Sequence, residues 1–521
     1  MTQTSKAITR RQVLAHLGLA GGSAAMLHGA VGLGLIAGDT ASRFEPLPPG
    51  RRPTVAILGA GIGGLAAAYE LERAGARCVI LEASDRLGGR NLTVRRGTVI
   101  DELGNRQVCA FDDAPHLYLN VGPARIPGTH HRLLHYCRRL GVRLEPFVQV
   151  NYQARLWDPE LNGGQAVRLR RVAADARGFL AELAAKQLGT QRLEEPLTPE
   201  DLERLQAYVA AFGELAEDGR YSGSDRAGHA AGGMLRPGVL HEPLAFRDLV
   251  ASDAALIAQL FAESEFQQPS LMQPIGGMDR IIEGFIAALR APVRTEAVVT
   301  DIAQHSDGVH IGYRRRGRTE SLRADYCLNS IPGILIQGLR TNFSTDYARA
   351  IGRISRGKLS KIGIQFQQRF WEEEGIYGGI SWADHDHLQM WYPSHGHHRA
   401  KGVVLAGYLF RPQANDRFAR LTHAQRMDQA LHLGERLHPG RFAALAETGV
   451  SVAWQRMNHL LGCAGGVLDD DAALARLQAP DGRHYLIGDQ VSRHPGWQEG
   501  ALASAQAAVL DIARREAAKP A

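Results

Sequence analysis

An uninterrupted apolar run, Val55-Ala56-Ile57-Leu58, predicts a short strand buried in a parallel sheet. Helix formers follow from Leu65 to Ala74 with an apolar stripe at Leu65, Ala68 and Leu71, and Val79-Ile80-Leu81 predicts a second strand. Apolar positions Leu133, Leu134, Cys137 and Leu140 predict a helix that Gly141 ends. Residues 165–265 are rich in Ala, Leu, Arg and Glu and predict mostly helix. Past them, QPIGGMDRIIEGFIAAL from Gln273 predicts a glycine turn and an amphipathic helix. Strands are expected at Ala297–Thr300, in VHIGYRR and ADYCLNSIP, at Gly402–Tyr408 and at Tyr485–Ile487. Ile362, Ile364 and Phe366 alternate as one face of a strand beginning near Lys361. A long helix opens at about Gln498.

The turn between the first strand and helix reads GAGIGG. Gly59 permits the tight turn, Gly61 lets the backbone approach a pyrophosphate, and Gly64 lets helix and strand pack closely. Free N–H groups at the helix start face the phosphates. Glu82 ends the second strand 18 residues after Gly64, where an acid would accept hydrogen bonds from an adenosine ribose.

The chain has 521 residues, 45% hydrophobic and 22% charged, long enough for two or three domains. Its net charge of +6 is small for this length, and the one basic run, Arg314-Arg315-Arg316, reads as a solvated strand end, so no nucleic-acid partner is expected. The five cysteines are odd in number and show no disulfide framework. His385, His387, His395, His397 and His398 with Asp384 and Asp386 lack metal-site spacing and are expected on a solvated loop, so no metal is expected.

At the N-terminus, Thr9-Arg10-Arg11-Gln12-Val13-Leu14 resembles a twin-arginine export motif, followed by a weakly hydrophobic Gly/Ala-rich stretch to Ala37. Residues 1–41 are expected to be a signal engaging the export machinery, giving a periplasmic or secreted protein, and 42–52 a Pro-rich linker.

Directly after Glu82, Arg86-Leu87-Gly88-Gly89-Arg90 resembles the second signature of the two-dinucleotide-binding-domain flavoproteins, which include the flavin amine oxidases. Gly122-Pro123-Ala124-Arg125-Ile126-Pro127, and Gly488-Asp489 with Gly496-Trp497-Gln498-Glu499-Gly500-Ala501, resemble the L-amino-acid oxidase branch of that family.

The resemblance implies FAD, with Gly59, Gly61, Gly64, Glu82, Arg86, Gly89, Arg90, Val299, Gly488, Asp489 and Trp497 around it. It implies that Arg125 forks onto a substrate carboxylate, as suits a planar guanidinium. Tyr408 would add a second hydrogen bond there, and Lys361 (not Lys358) would hold a water beside the flavin N5. Trp497 would wall an aromatic slot, the Gly496 carbonyl would accept from the substrate amine, and Trp391-Tyr392-Pro393 would line the side-chain pocket. Asp489 stands where many relatives have Glu, which changes reach but not charge.

The implied architecture is α/β plus α: a Rossmann-type FAD-binding domain (53–119, 268–330 and 478–521), a mixed-sheet substrate domain (120–164 and 331–477), and a helical insertion (165–267). The implied activity is oxidation of an L-amino acid by O2 to a 2-oxo acid, ammonia and hydrogen peroxide, by a protein whose relatives are commonly dimers. A tryptophan-type 2-monooxygenase giving an amide and CO2 is the alternative. A monoamine or polyamine oxidase and a non-catalytic FAD-binding protein are further readings.

Overall fold

The computed structural model describes residues 46–188, 197–467 and 469–519. The expected export signal lies outside them.

The run Thr54–Leu58 forms the centre of a five-stranded parallel sheet, ordered Val293–Arg294, Arg77–Leu81, Thr54–Leu58, Tyr326–Asn329, His484–Leu486. Its alternation explains why the run is apolar throughout. Val55 and Ile57 pack on the side of the helices Ile62–Ala74 and Gln498–Ala517. Ala56 and Leu58 pack on the other side, against Ala297, Val299, Ile302 and Tyr313 of a four-stranded sheet. A strand covered on both faces has no polar position to offer. Between strand and helix, Gly64 is required by contact: a Cβ there would lie 2.1 Å from the Gly59 carbonyl oxygen.

A seven-stranded mixed sheet forms the second layer, ordered Val167–Arg168, Arg155–Trp157, Ile380–Ala383, Gln389–Trp391, Gly402–Leu409, Ser360–Phe366, Ala446–Ala453. Every residue of Ser360–Phe366 is buried, because it is flanked on both sides and covered on both faces. The expected helical insertion starts a few residues late. Val167–Arg168 is still a strand of this sheet, and the first long helix is Leu169–Gln187. The segment His385–His387 turns back between two strands beneath the helix Pro412–Arg420. It is therefore packed, with the His387 ring against Phe418, and not the expected solvated loop. Burial lowers the pKa of His387 to about 4 and keeps it neutral. His397 and His398 are exposed.

All five cysteines are free thiols, and Cys78 and Cys327 are buried within the parallel sheet. Among the described residues, no group of three His, Cys, Asp or Glu side chains is placed to hold a metal.

A fully buried ion pair ties the hairpin Val99–Val108 to the larger sheet. Arg426 Nη1 and Nη2 donate to the two oxygens of Glu102 at 3.0 and 2.7 Å, with Ser451 Oγ, the Ala453 N–H and the Phe418 carbonyl completing the set. Removing one partner strands a charge, so Glu102→Ala is expected to cost about 3–5 kcal/mol of unfolding free energy. Replacing both by apolar residues (Glu102→Leu with Arg426→Met) is expected to recover most of it in urea denaturation. A double variant as unstable as the single would show that the loss lies in packing and not in the stranded charge.

Candidate active site

Between the two layers lies a cavity of about 520 Å³. One end is nucleotide-shaped. Gly59, Gly61, Glu82, Ser84, Val298 and Val299 line it, and the glycine pair Gly88–Gly89 lies alongside, with Gly61 bridged to Gly88. A Cβ at Gly61 would meet only open space, so the backbone there faces the room a pyrophosphate needs. Glu82 already accepts from the N–H groups of Ala60 (2.7 Å) and Ser84 (2.8 Å), which aims its carboxylate at the rim and leaves lone pairs free.

Two expected cofactor residues stand off the cavity wall. Gly64 serves the helix–strand contact. Arg86 does not line the cavity, and its Nη1 is buried without an acceptor among the described residues, while burial lowers its pKa. Arg90 does line the cavity, but its guanidinium is already forked onto Asp489, with Nη1 to Oδ2 at 2.8 Å and Nη2 to Oδ1, and it also donates to the Cys463 carbonyl. Asp489 further accepts from the Gly496 N–H at 2.8 Å. These two residues therefore clip the glycine-rich loop to the C-terminal segment. Burial alone would raise the Asp489 carboxyl, but the Arg90 cation and its hydrogen bonds hold it below its usual range.

The other end is aromatic and cationic. Strand register decides it: Lys361 and Tyr408 are direct cross-strand partners, and Trp391 lies on the strand next to Tyr408. Lys361 Nζ lies 5.1 Å from the Tyr408 ring centre and 5.6 Å from that of Trp391. It donates to the carbonyls of Asn120 (3.1 Å) and Gly122 (2.6 Å). Burial first, and the nearby Arg125 cation also, lower its pKa to about 7. Lys358 sits outside, paired with Asp416. Tyr408 is raised to about 12 by burial, so its phenol keeps its proton.

Arg125 precedes the short strand Ile126–Pro127, which pairs with Leu271–Met272 and so meets the end of the helical insertion. Its guanidinium lies over Trp391 at 4.8 Å, Trp497 at 5.7 Å and Phe261 at 5.9 Å. Its Nε (3.0 Å) and Nη2 both donate to Gln267 Oε1. No acidic side chain pairs with it among the described residues. Burial without a counter-ion lowers its pKa to about 10, which still leaves it cationic.

Trp497 precedes the helix Gln498–Ala517 and packs edge-on against His130 at 5.0 Å. Gly488 and Gly496 line the cavity beside it. Glu499, in the first turn of that helix, accepts from the N–H groups of Arg132 and Leu133 at the start of the helix His131–Arg139. The Arg125 segment and the C-terminal segment are thereby locked together. Tyr392 departs from its expected place: it bonds Ser381 and His438 inside the sheet, and only Trp391 of that trio lines the cavity.

Sequence reasoning missed Gln267, His130, Arg356 and Cys463 on the cavity wall. His130 follows closely on the Arg125 segment and could have been suspected. Gln267 had no signal, since its meeting with Arg125 exists only after long-range pairing.

The family model for flavin containing amine oxidoreductases matches residues 62–513. The flavin-dependent L-tryptophan oxidase of Lentzea aerocolonigenes is 26% identical over 484 residues, 88% of this chain and 97% of that protein. The L-amino-acid oxidase of Pseudechis australis is 26% identical over 481 residues, 88% of this chain and 86% of its own. Among solved structures, putrescine oxidase bound to putrescine superposes with a TM-score of 0.60 at 19% identity, covering 89% of this chain and all of that one. Cyclohexylamine oxidase from Brevibacterium oxydans does so with 0.58 at 19%, covering 90% and 99%. At that identity these two speak to the fold.

Proposed function

This chain belongs to the flavin containing amine oxidoreductase family, and from that premise we propose that it is an FAD-dependent L-amino-acid oxidase. The observation that carries the amino-acid reading is Arg125. A guanidinium is buried at the cavity end, stacked among aromatic rings, with no carboxylate paired to it among the described residues. Such a charge is costly unless the ligand brings an anion, and an amine without a carboxylate brings none. The names of the relatives agree with this reading.

The nucleotide end fits FAD. Gly59, Gly61 and Gly89 form the phosphate-side wall, Glu82 faces the ribose side, and Val299 lines the adenine side. Arg86 Nη1, unpartnered among the described residues, suits an added acceptor nearby. When bound, the flavin supplies the two-electron acceptor and passes the electrons to O2.

The chain's own residues orient the substrate. Arg125 holds its carboxylate by two parallel charge-assisted hydrogen bonds, and the Tyr408 hydroxyl donates a third. The Gly496 carbonyl accepts from the α-amine, which must be neutral to react, and the Trp497 ring walls the slot. Fixing three points of the α-carbon directs its remaining hydrogen, and positioning of this kind lowers a barrier without covalent catalysis. Lys361, backed by two carbonyls, holds a proton near the site. The balance is amino acid, O2 and water to 2-oxo acid, ammonia and peroxide.

The twin-arginine-like start supports the reading that residues 1–41 direct export of the folded flavoprotein, so that peroxide forms outside the cytoplasm.

Purified yellow protein mixed with each L-amino acid under air is expected to yield peroxide, ammonia and a 2-oxo acid in equal amounts. An amide one carbon shorter with CO2 would make it the monooxygenase. No bleaching of the flavin by any amino acid without O2 would sink both.

A further inference from the structure

Arg125 has only donors, so whatever fills its fork must present oxygen lone pairs. One residue does so: the Gln267 amide oxygen accepts from both Nε and Nη2, the pair of donors that a carboxylate would use. Gln267 comes from the segment between the last turn of the helical insertion and the strand Leu271–Pro274. Its backbone is pinned. Its N–H donates to the Ser264 carbonyl at 2.8 Å, and its carbonyl accepts from Gln149 Nε2 at 2.7 Å. The preceding Phe266 is wedged among His494 (4.8 Å), His130 (5.1 Å) and Trp497 (5.6 Å). The side chain beyond this anchor is half-buried, and the two bonds from Arg125 are the ones that hold its amide oxygen.

We propose that Gln267 is a resident stand-in for the substrate carboxylate, occupying the Arg125 fork until an anion displaces it, and that it thereby selects against ligands lacking one. This rests on the reading of Arg125 as the carboxylate site. A neutral amide offers one oxygen where a carboxylate offers two and a full charge, so the anion wins the exchange. An amine or an amino-acid amide offers nothing better than the glutamine and gains nothing by displacing it. The amide also keeps the buried guanidinium hydrogen-bonded between turnovers. A glutamate at this position would satisfy the same fork too well, because an internal ion pair would hold the site shut.

The test uses the FAD-loaded full-length enzyme and propionate, a carboxylate that cannot be oxidised, titrated by calorimetry. Gln267→Glu is expected to weaken propionate binding at least about tenfold, the scale of one hydrogen bond to a charged group. Gln267→Ala is expected to tighten it about tenfold and to lower KM for amino acids without lowering kcat. The same variant should gain activity on an amino-acid amide relative to the parent acid. Flavin content and thermal midpoint, measured beside these, separate the effect from misfolding. Unchanged propionate affinity in Gln267→Glu, or weaker affinity in Gln267→Ala, would overturn the proposal. Arg125→Ala is the separating control: if it binds propionate as the parent does, the carboxylate reading of Arg125 fails, whatever Gln267 does.

Discussion

Replacing Arg125 by alanine is expected to lower kcat/KM for an L-amino acid by about a thousandfold, since two hydrogen bonds from a charged donor at about 2 kcal/mol each sum to about 4 kcal/mol. The loss should be specific. Flavin content should stay at one per chain, because Arg125 stands at the aromatic end of the cavity and not among the phosphate-side glycines. Arg125→Lys should fall between, because an ammonium keeps the charge but cannot present two parallel donors. The measurement is steady-state turnover, backed by anaerobic flavin reduction at varied amino acid to separate binding from chemistry. Arg125→Ala with parental kcat/KM would falsify the carboxylate role and return the amine oxidases of the family to first place.

Lys361→Met is expected to slow the reaction of the reduced enzyme with O2 by about a hundredfold while leaving amino-acid binding nearly intact. Reduction of O2 builds negative charge in a dry site, and a buried ammonium there stabilises it strongly. The sign with pH follows from the lowered pKa of about 7. Below that value Lys361 carries its proton and assists, and above it the amine is neutral and the assistance is lost. The parent's rate with O2 should therefore fall as pH rises through about 7, and the Lys361→Met profile should be flat and low across that range. Stopped-flow mixing of reduced enzyme with O2 at several pH values checks this. A Lys361→Met enzyme that keeps the parent's pH dependence would place the titrating group elsewhere.

The dinucleotide turn was legible because its chemistry is local. Gly59, Gly61, Gly64 and Glu82 lie within one strand–turn–helix–strand unit, where Gly64 answers the Gly59 carbonyl five residues back and Glu82 answers the N–H groups of Ala60 and Ser84. The boundary of the helical insertion was less so. Val167–Arg168 joins a sheet by pairing with Arg155–Leu156, and two residues carry no periodicity of their own. The histidines at 385 and 387 misled for a related reason. Their polar spacing suggests solvent, but the turn that holds them is roofed by a helix from residues 412–420.

What the sequence determined by itself was the presence of a dinucleotide-binding strand–turn–helix, the types of residue available for chemistry, and through Arg125, Lys361, Tyr408 and Trp497 a set of candidates for one site. Only the tertiary structure decided their relation. Register across two strands sets Lys361 opposite Tyr408 although 47 positions separate them. The Arg90–Asp489 clip spans 399 positions, and the Gln267 occupancy of Arg125 spans 142. Neither has a local signal, because a hydrogen-bond partner is selected by where packing delivers it, and packing is settled by the whole buried surface at once.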